Sequence, residues 1–439
     1  MEAFFSYILL MKDKLIKSTI ILLAGGFATK ILGMFIKMVM GRMLGSDVLG
    51  LYMMVLPTFS LFIGLGQFGL PTAMSKLVAE DSKNNKNLFF SVFIILLLVN
   101  IALVLLINLI APILSNNLLK NNNTYLGIVA ISIVIPFISI SSLVRSYFFG
   151  KERMGVHVFS NIVEDIVRLL VMIIGIPIFK NKDISYLVCF LILSNVISES
   201  VSVLILFCFL PKNIVFKKKD FTINKNYIKD SLSIGIPNTT SRLVGSIGYF
   251  LEPIILTNVL GYVGYSSNFI TREYGILSGY VMPILLLPSF FTGAISQALL
   301  PVLSKEYSSG RRNNAKNKLL IGISISLSIG ILCTILFMVI PEFLLSFIYK
   351  TNSGVNYMIV LGPICLLQYI QSPISSCLDA TNNSNYIMKA NILGMIIRCL
   401  CLVVFSLFKI GIWGLIIAIS INVVVITIYE IITVYKVFK

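Results

Sequence analysis

From residue 18 to residue 434 the chain is a succession of apolar stretches, separated by breaks rich in Lys, Asn, Ser or Gly. About 20 apolar residues suffice for one helical crossing of a bilayer, because a helix rises about 1.5 Å per residue and the hydrocarbon core is about 30 Å thick. Six such stretches are expected at 18–40, 49–73, 88–114, 125–149, 156–179 and 185–210. Six more follow at 231–260, 275–300, 319–340, 355–378, 386–408 and 412–434. The expected fold is therefore an all-α integral membrane protein of about twelve transmembrane helices. With 57% hydrophobic and 12% charged residues and a mean hydropathy of +0.95, little chain is left for an aqueous catalytic domain.

Charge position is more informative than the net charge of +17. Placing the N-terminus in the cytoplasm puts 22 Lys and Arg in cytoplasmic loops and 6 in outer loops, so both termini are expected inside. An excess of this kind reflects cytoplasmic loops and anionic lipid, and nucleic acid is not expected as a partner. The run PKNIVFKKKDFTINKNYIKD reads as an interfacial segment lying on anionic headgroups and joining two halves. The expected domains are residues 1–210, a basic cytoplasmic linker at 211–230, and residues 231–439.

Seven cysteines fall inside apolar stretches without a CxxC pair, and His157 is the single histidine. Neither a disulfide framework, a metal site nor a histidine-based triad has the residues it needs, and no cofactor is expected. A removable signal peptide is not expected either, and Met11 is an alternative initiator. The run Gly64-Leu65-Gly66-Gln67-Phe68-Gly69 fits a dinucleotide-binding pattern literally but follows a membrane helix and has no βαβ unit around it.

The halves repeat one another. Asn161-Ile162-Val163-Glu164-Asp165-Ile166-Val167-Arg168 answers Asn391-Ile392-Leu393-Gly394-Met395-Ile396-Ile397-Arg398 at an offset of 230. Leu56-Pro57-Thr58-Phe59 answers Leu287-Pro288-Ser289-Phe290 at 231, and Thr29-Lys30-Ile31-Leu32-Gly33 resembles Ser241-Arg242-Leu243-Val244-Gly245. A duplicated unit of six spans, an even number, gives two parallel repeats with a cleft expected between them.

Seven cations fall in or at the rim of the spans: Lys30, Lys37, Arg145, Arg168, Arg242, Arg272 and Arg398. Lys30, Arg168, Arg242 and Arg398 are expected near the midplane, where each costs about 2.5–3.5 kcal/mol if it faces lipid. They are expected to ring the cleft. Glu164 and Asp165 stand four and three residues before Arg168 and can pair with it on one helix face. Lys30, Lys37, Arg242 and Arg398 have no acid within a turn of their own helix, so they are the stronger candidates for an anionic ligand. Glu164, Asp165 and Glu252 are candidates for ion pairing or for a coupling cation whose identity the sequence does not give. Arg145, Arg272 and Glu273, near helix ends, are expected to act as interfacial anchors or gate contacts at most.

Residues 25–80 (GGFATKILGMFIKMVMGRMLGSDVLGLYMMVLPTFSLFIGLGQFGLPTAMSKLVAE), with 146–170 and 273–307, resemble the stage V sporulation protein B family. That family belongs to the superfamily of lipid II flippases and multidrug and toxin extrusion antiporters. The resemblance implies a two-lobed multidrug and toxin extrusion-like bundle in a bacterial plasma membrane. Such a bundle moves a lipid-linked diphosphate glycan, peptidoglycan lipid II or a related polysaccharide intermediate, by alternating access, here in spore cortex synthesis. It also implies a transporter rather than an enzyme, with Lys30 lining the cavity, Lys37 a step out of register, and Arg242 as the second lobe's cation. The chain departs from the family in lacking arginines after Leu56-Pro57, and many flippase relatives carry two more spans. A multidrug or cation antiporter on the same scaffold is the alternative, and it calls for an anionic pocket.

Overall fold

The structure, a computed structural model, describes residues 14–80, 85–210 and 224–439. The N-terminal stretch before Lys14 and most of the expected basic linker lie outside the described residues. Among the described residues every regular element is helical. The first half runs α1 (Lys14–Met43), α2 (Ser46–Gln67), α3 (Leu70–Ala79), α4 (Asn85–Pro112), α5 (Tyr125–Gly150), α6 (Met154–Phe179) and α7 (Ile184–Cys208). The second half begins with α8 (Lys225–Val263), α9 (Ser267–Gly275), α10 (Met282–Leu285) and α11 (Pro288–Ser308). It ends with α12 (Arg312–Val339), α13 (Pro341–Tyr349), α14 (Val355–Ala380), α15 (Ser384–Ser406) and α16 (Trp413–Phe438).

Ten segments among the described residues are long and apolar enough to cross a membrane, and the pair Ser267–Leu285 and Pro288–Ser308, bent by 47°, is an eleventh. At 26 residues α6 has the length of a span too, but Glu164, Asp165 and Arg168 in its middle lower its apolar character. The protein is a multi-pass membrane protein.

The duplication is visible in the backbone. Helices α5 and α14 each contain 26 residues and begin 230 positions apart, and α6 and α15 begin with the same separation. Left-handed turns recur at the same interval: Lys120 (φ 49°) answers Lys350 (φ 57°), and Glu152 (φ 56°) answers Asn382 (φ 59°). Non-glycine residues seldom adopt positive φ, so two matched pairs are a strong mark of common descent.

Contacts divide the chain into two compact units. The first takes in the described residues up to Met43, Val55–Asn117 and Asn121–Ser246. The second takes in Leu44–Met54, Leu118–Lys120 and Ile247–Lys439. Both α2 and α8 therefore begin in one unit and end in the other. In the first unit Leu70, Met74, Leu88, Val92 and Leu143 form a core of α3, α4 and α5. In the second, Leu303, Leu319 and Cys377 join α11, α12 and α14.

The expected span over residues 49–73 is broken. Phe68 (φ 48°) and Gly69 (φ 60°) both turn left-handed, and Pro71 follows in the first turn of α3, where its missing N–H costs nothing. A Cβ on Gly69 would lie 2.2 Å from the Gly235 carbonyl oxygen of α8, so only glycine lets that backbone approach. The glycine-rich run thus closes a helix and admits a neighbour.

Candidate cation-lined site

Helix α1 divides into three faces at about 100° per residue. One packs against α6: Gly25, Ile36 and Met40 are buried, and a Cβ on Gly25 would stand 2.1 Å from Val158 Cγ1. A second, with Leu23, Phe27, Ile31 and Phe35, is exposed and apolar, as a lipid-facing surface must be. Between them Gly26, Lys30, Gly33 and Lys37 fall within an arc of about 60°. Lys30 and Lys37 are exposed, and nothing stands within 4 Å of a Cβ placed on Gly26 or Gly33. Neither lysine has a hydrogen-bond or ion-pair partner among the described residues. Lys30 lies roughly 24 Å from the helix start and 20 Å from its end, deep within a span. Lys37 lies about 9 Å from that end, and two ammonium groups without partners among the described residues, flanked by glycines that leave room beside them, need water or an anion.

A different arrangement serves the arginines of α5 and α6. Arg145 pairs with Glu164 (Nη1 to Oε2, 2.8 Å) and with Glu199 of α7. It also donates to Asn161 Oδ1 at 2.7 Å and from Nε to Ser141 Oγ at 3.0 Å. Arg168 pairs with Glu164 one turn back on its own helix and with Asp165 at 3.3 Å. Three carboxylates thus enclose two guanidinium groups, leaving one formal negative charge in excess. Arg145 does not act as the interfacial anchor expected of it. Its side chain is 14% exposed and sits inside this cluster, because acids on α6 and α7 reach its level. Glu199, which sequence reasoning left without a role, completes it. A readable signal was Ser141, one turn before Arg145 on the same face.

Arg242, on α8 and in the first unit, is exposed and donates to Gln67 Oε1 at 3.0 Å. That partner is neutral and leaves the guanidinium charge uncompensated. Asn238, one turn earlier, donates to Thr72 Oγ1 at 2.9 Å, so this face of α8 is clipped to the α2–α3 break.

In the second unit Arg398 on α15 pairs with Glu252 on α8, which also accepts from Tyr274 OH at 3.2 Å. The positions that correspond to Glu164 and Asp165 are Gly394 and Met395 here, so the acid comes from another helix. Spacing along one helix cannot reveal such a pair. Of the expected interfacial pair at the α9 terminus, Arg272 is exposed and Glu273 accepts from Tyr357 OH.

The structure therefore sorts the proposed ligand residues by partner. Lys30 and Lys37 stand open, Arg242 has a neutral contact, and Arg168 and Arg398 are held by carboxylates.

Comparison with known proteins agrees with this architecture. Residues 15–307 match the family model described as "Polysaccharide biosynthesis protein", and residues 277–404 match the one described as MatE. Stage V sporulation protein B of Bacillus subtilis (strain 168) is 32% identical over 437 residues, covering 97% of this chain and 84% of the relative. Lipid II flippase MurJ of the same organism is 22% identical, covering 88% and 76%. A multidrug resistance MATE family transporter of the MOP superfamily, solved in an inward-facing conformation, superimposes with a TM-score of 0.71. It is 16% identical, with 93% of this chain and 94% of that chain covered, so the multidrug and toxin extrusion-like fold is shared. Transport, not bond chemistry, is the activity these last two relatives are named for. By its match to the family model over most of its length and its identity to stage V sporulation protein B, this chain belongs to the polysaccharide biosynthesis protein family of multi-pass membrane proteins.

Proposed function

We propose that this chain is a plasma-membrane flippase for a lipid-linked, diphosphate-bearing glycan, peptidoglycan lipid II or a close relative, in spore cortex synthesis. The observation that carries the reading is the open stripe of Lys30 and Lys37 on α1, two cations without acids inside a span. A diphosphate leaving water must be neutralised, and ammonium and guanidinium groups do this through charge-assisted hydrogen bonds while forming no bond that must later be broken. Lys30 and Lys37 are the primary anion ligands and Arg242 assists from α8. Arg398 and Arg168 act in second place, since each must first loosen a carboxylate. The polyprenyl tail stays in lipid, and alternating access moves the headgroup with both termini held in the cytoplasm.

The excess carboxylate among Glu164, Asp165 and Glu199 is the natural place for a coupling proton or cation in the first unit, and Glu252 plays that part in the second when Arg398 turns to cargo. The test is translocation of labelled lipid-linked precursors in vesicles by wild type, Lys30→Ala, Arg242→Ala and Arg398→Ala. The three variants insert normally and flip less than wild type, Lys30→Ala the least and Arg242→Ala the nearest to wild type. Unimpaired flipping by all three removes these roles. Purified protein that binds organic cations and ignores lipid diphosphates establishes the antiporter instead.

A further inference from the structure

A groove of about 390 Å³ lies in the second unit between α12 and α16, within the size range of small-ligand sites. Leu319, Leu320 and Ile323 line it from α12, and Ile431, Val434 and Phe438 from α16, in each case at steps of three or four residues or one, so a single face of each helix is used. Leu320 and Ile431 are exposed, so the groove opens toward the bilayer. Lys316 stands at the start of the α12 stripe and Lys439 at the end of the α16 stripe, and both belong to the lining. The Phe438 ring meets that of Tyr307, in the last turn of α11, with 6.3 Å between centroids. The end of α16 therefore lies level with the start of α12, and both lysines sit at the same end of the groove. Both are exposed, and neither ammonium group has a hydrogen-bond or ion-pair partner among the described residues.

The first unit shows what closes the corresponding place there. At the interval of 230 residues Leu319, Leu320 and Ile323 answer Phe89, Phe90 and Phe93 of α4. The same interval relates the buried positions Val92, Leu96 and Ile107 of α4 to Gly322, Ser326 and Phe337 of α12, which are buried too. Phe89 and Phe93 stack with 6.1 Å between centroids, and Phe89 packs against the core of Val144, Phe148 and Leu206. Aliphatic side chains at these places in the second unit leave the space open. Lys86, which answers Lys316, is engaged by the chain, whereas Lys316 is not. An apolar trough that opens to lipid and ends in two uncompensated ammonium groups has the polarity pattern that complements an anionic amphiphile.

We propose that this groove is a site for an anionic phospholipid of the surrounding bilayer. Part of one acyl chain lies along the trough, which runs about 10 Å on α12 from Lys316 to Ile323, in the space that phenylalanines close in the first unit. The phosphate sits at the end of the trough, held by Lys316 and Lys439 through charge-assisted hydrogen bonds. Occupancy ties α12 to α16, so the bound lipid stabilises the second unit. The proposal concerns other residues than the diphosphate reading and does not rest on it.

Native mass spectrometry and thermal unfolding of the full chain in detergent test it, with phosphatidylglycerol and phosphatidylcholine of the same acyl chains as probes. Wild type binds one phosphatidylglycerol at least about tenfold more tightly than phosphatidylcholine, a difference of 1.4 kcal/mol, and unfolds at a higher temperature with it. A Lys316→Gln, Lys439→Gln double variant loses the preference. A Lys318→Gln, Lys436→Gln double variant, which removes as much charge from exposed positions outside the groove, keeps it. Leu319→Phe with Ile323→Phe, which installs the stacked pair of the first unit, excludes both lipids. Lys30→Ala keeps the preference, so failure of flipping and failure of this site are read separately. No headgroup preference in wild type overturns the proposal, as does a preference that survives Lys316→Gln, Lys439→Gln or is lost equally in Lys318→Gln, Lys436→Gln. These lysine variants, at exposed positions, keep it testable if the phenylalanine variant does not fold. Displacement of phosphatidylglycerol by a polyprenyl diphosphate in a Lys30→Ala, Lys37→Ala background assigns the groove to the cargo tail, and a lipid-free pair of chains assigns it to a second copy; either result overturns the proposal.

Discussion

Two groups of intramembrane cations share the first unit and are treated in opposite ways. Arg145 and Arg168 are enclosed by Glu164, Asp165 and Glu199, with Asn161 and Ser141 taking remaining N–H groups. Lys30 and Lys37 stand on an open stripe of α1 between a packed face and a lipid-facing one. The enclosed pair is satisfied by the chain and holds α5, α6 and α7 together. The open pair is satisfied by nothing in the described chain, and its position beside Gly26 and Gly33 leaves space for a ligand. The difference is between cations that the chain itself compensates and cations that it leaves uncompensated among the described residues.

The sharpest way to break that distinction is charge reversal on the open stripe. Lys30→Glu is expected to lower flipping by about a hundredfold, in line with the 2–5 kcal/mol that truncating a desolvated charge pair costs, while the protein still inserts and unfolds at the wild-type temperature. The enclosed group should show the converse. Arg145→Ala leaves Glu199 without a cation and is expected to cost about 3–5 kcal/mol of stability, read as a lower thermal midpoint, with flipping per folded molecule close to wild type.

The repeat offers a finer cut. Arg168 and Arg398 occupy equivalent positions, but the first has its acids on its own helix and the second borrows Glu252 from α8. The Arg398 side chain is 30% exposed, so solvent screens the pair, and Glu252→Gln is expected to cost only about 1 kcal/mol. It should also free Arg398 and tighten diphosphate binding two- to threefold by titration, if roughly 0.5 kcal/mol of pairing is released. The smallest effect is expected from Arg242→Ala, which loses one exposed bond to Gln67. Stability should fall by less than about 1 kcal/mol and flipping by roughly fivefold.

Much of this was legible before any coordinates. Apolar runs set the helices because lipid leaves the backbone no other partner than itself, and the 230-residue interval in the Arg168 and Arg398 motifs reappears in the matched turns at Lys120 and Lys350. The Arg168 pairing followed from positions 164 and 165 on a helix of known pitch. Less legible was anything that depends on which helices are neighbours. Glu252 meets Arg398 across 146 residues of sequence, Arg145 and Glu199 meet across 54, and no periodicity encodes either meeting. The break at Phe68 and Gly69 was also missed, because the apolar pattern runs through it, though Gly69 and Pro71 were its local signals.

The central claim is that the two α1 lysines hold the diphosphate of a lipid-linked cargo. It is tested most directly by binding a short-chain polyprenyl diphosphate, and the matching polyprenyl alcohol, to the protein in nanodiscs. Wild type is expected to prefer the diphosphate by at least about thirtyfold, or 2 kcal/mol, and a Lys30→Ala, Lys37→Ala double variant is expected to bind both alike. A double variant that keeps the full preference for the diphosphate would contradict the account.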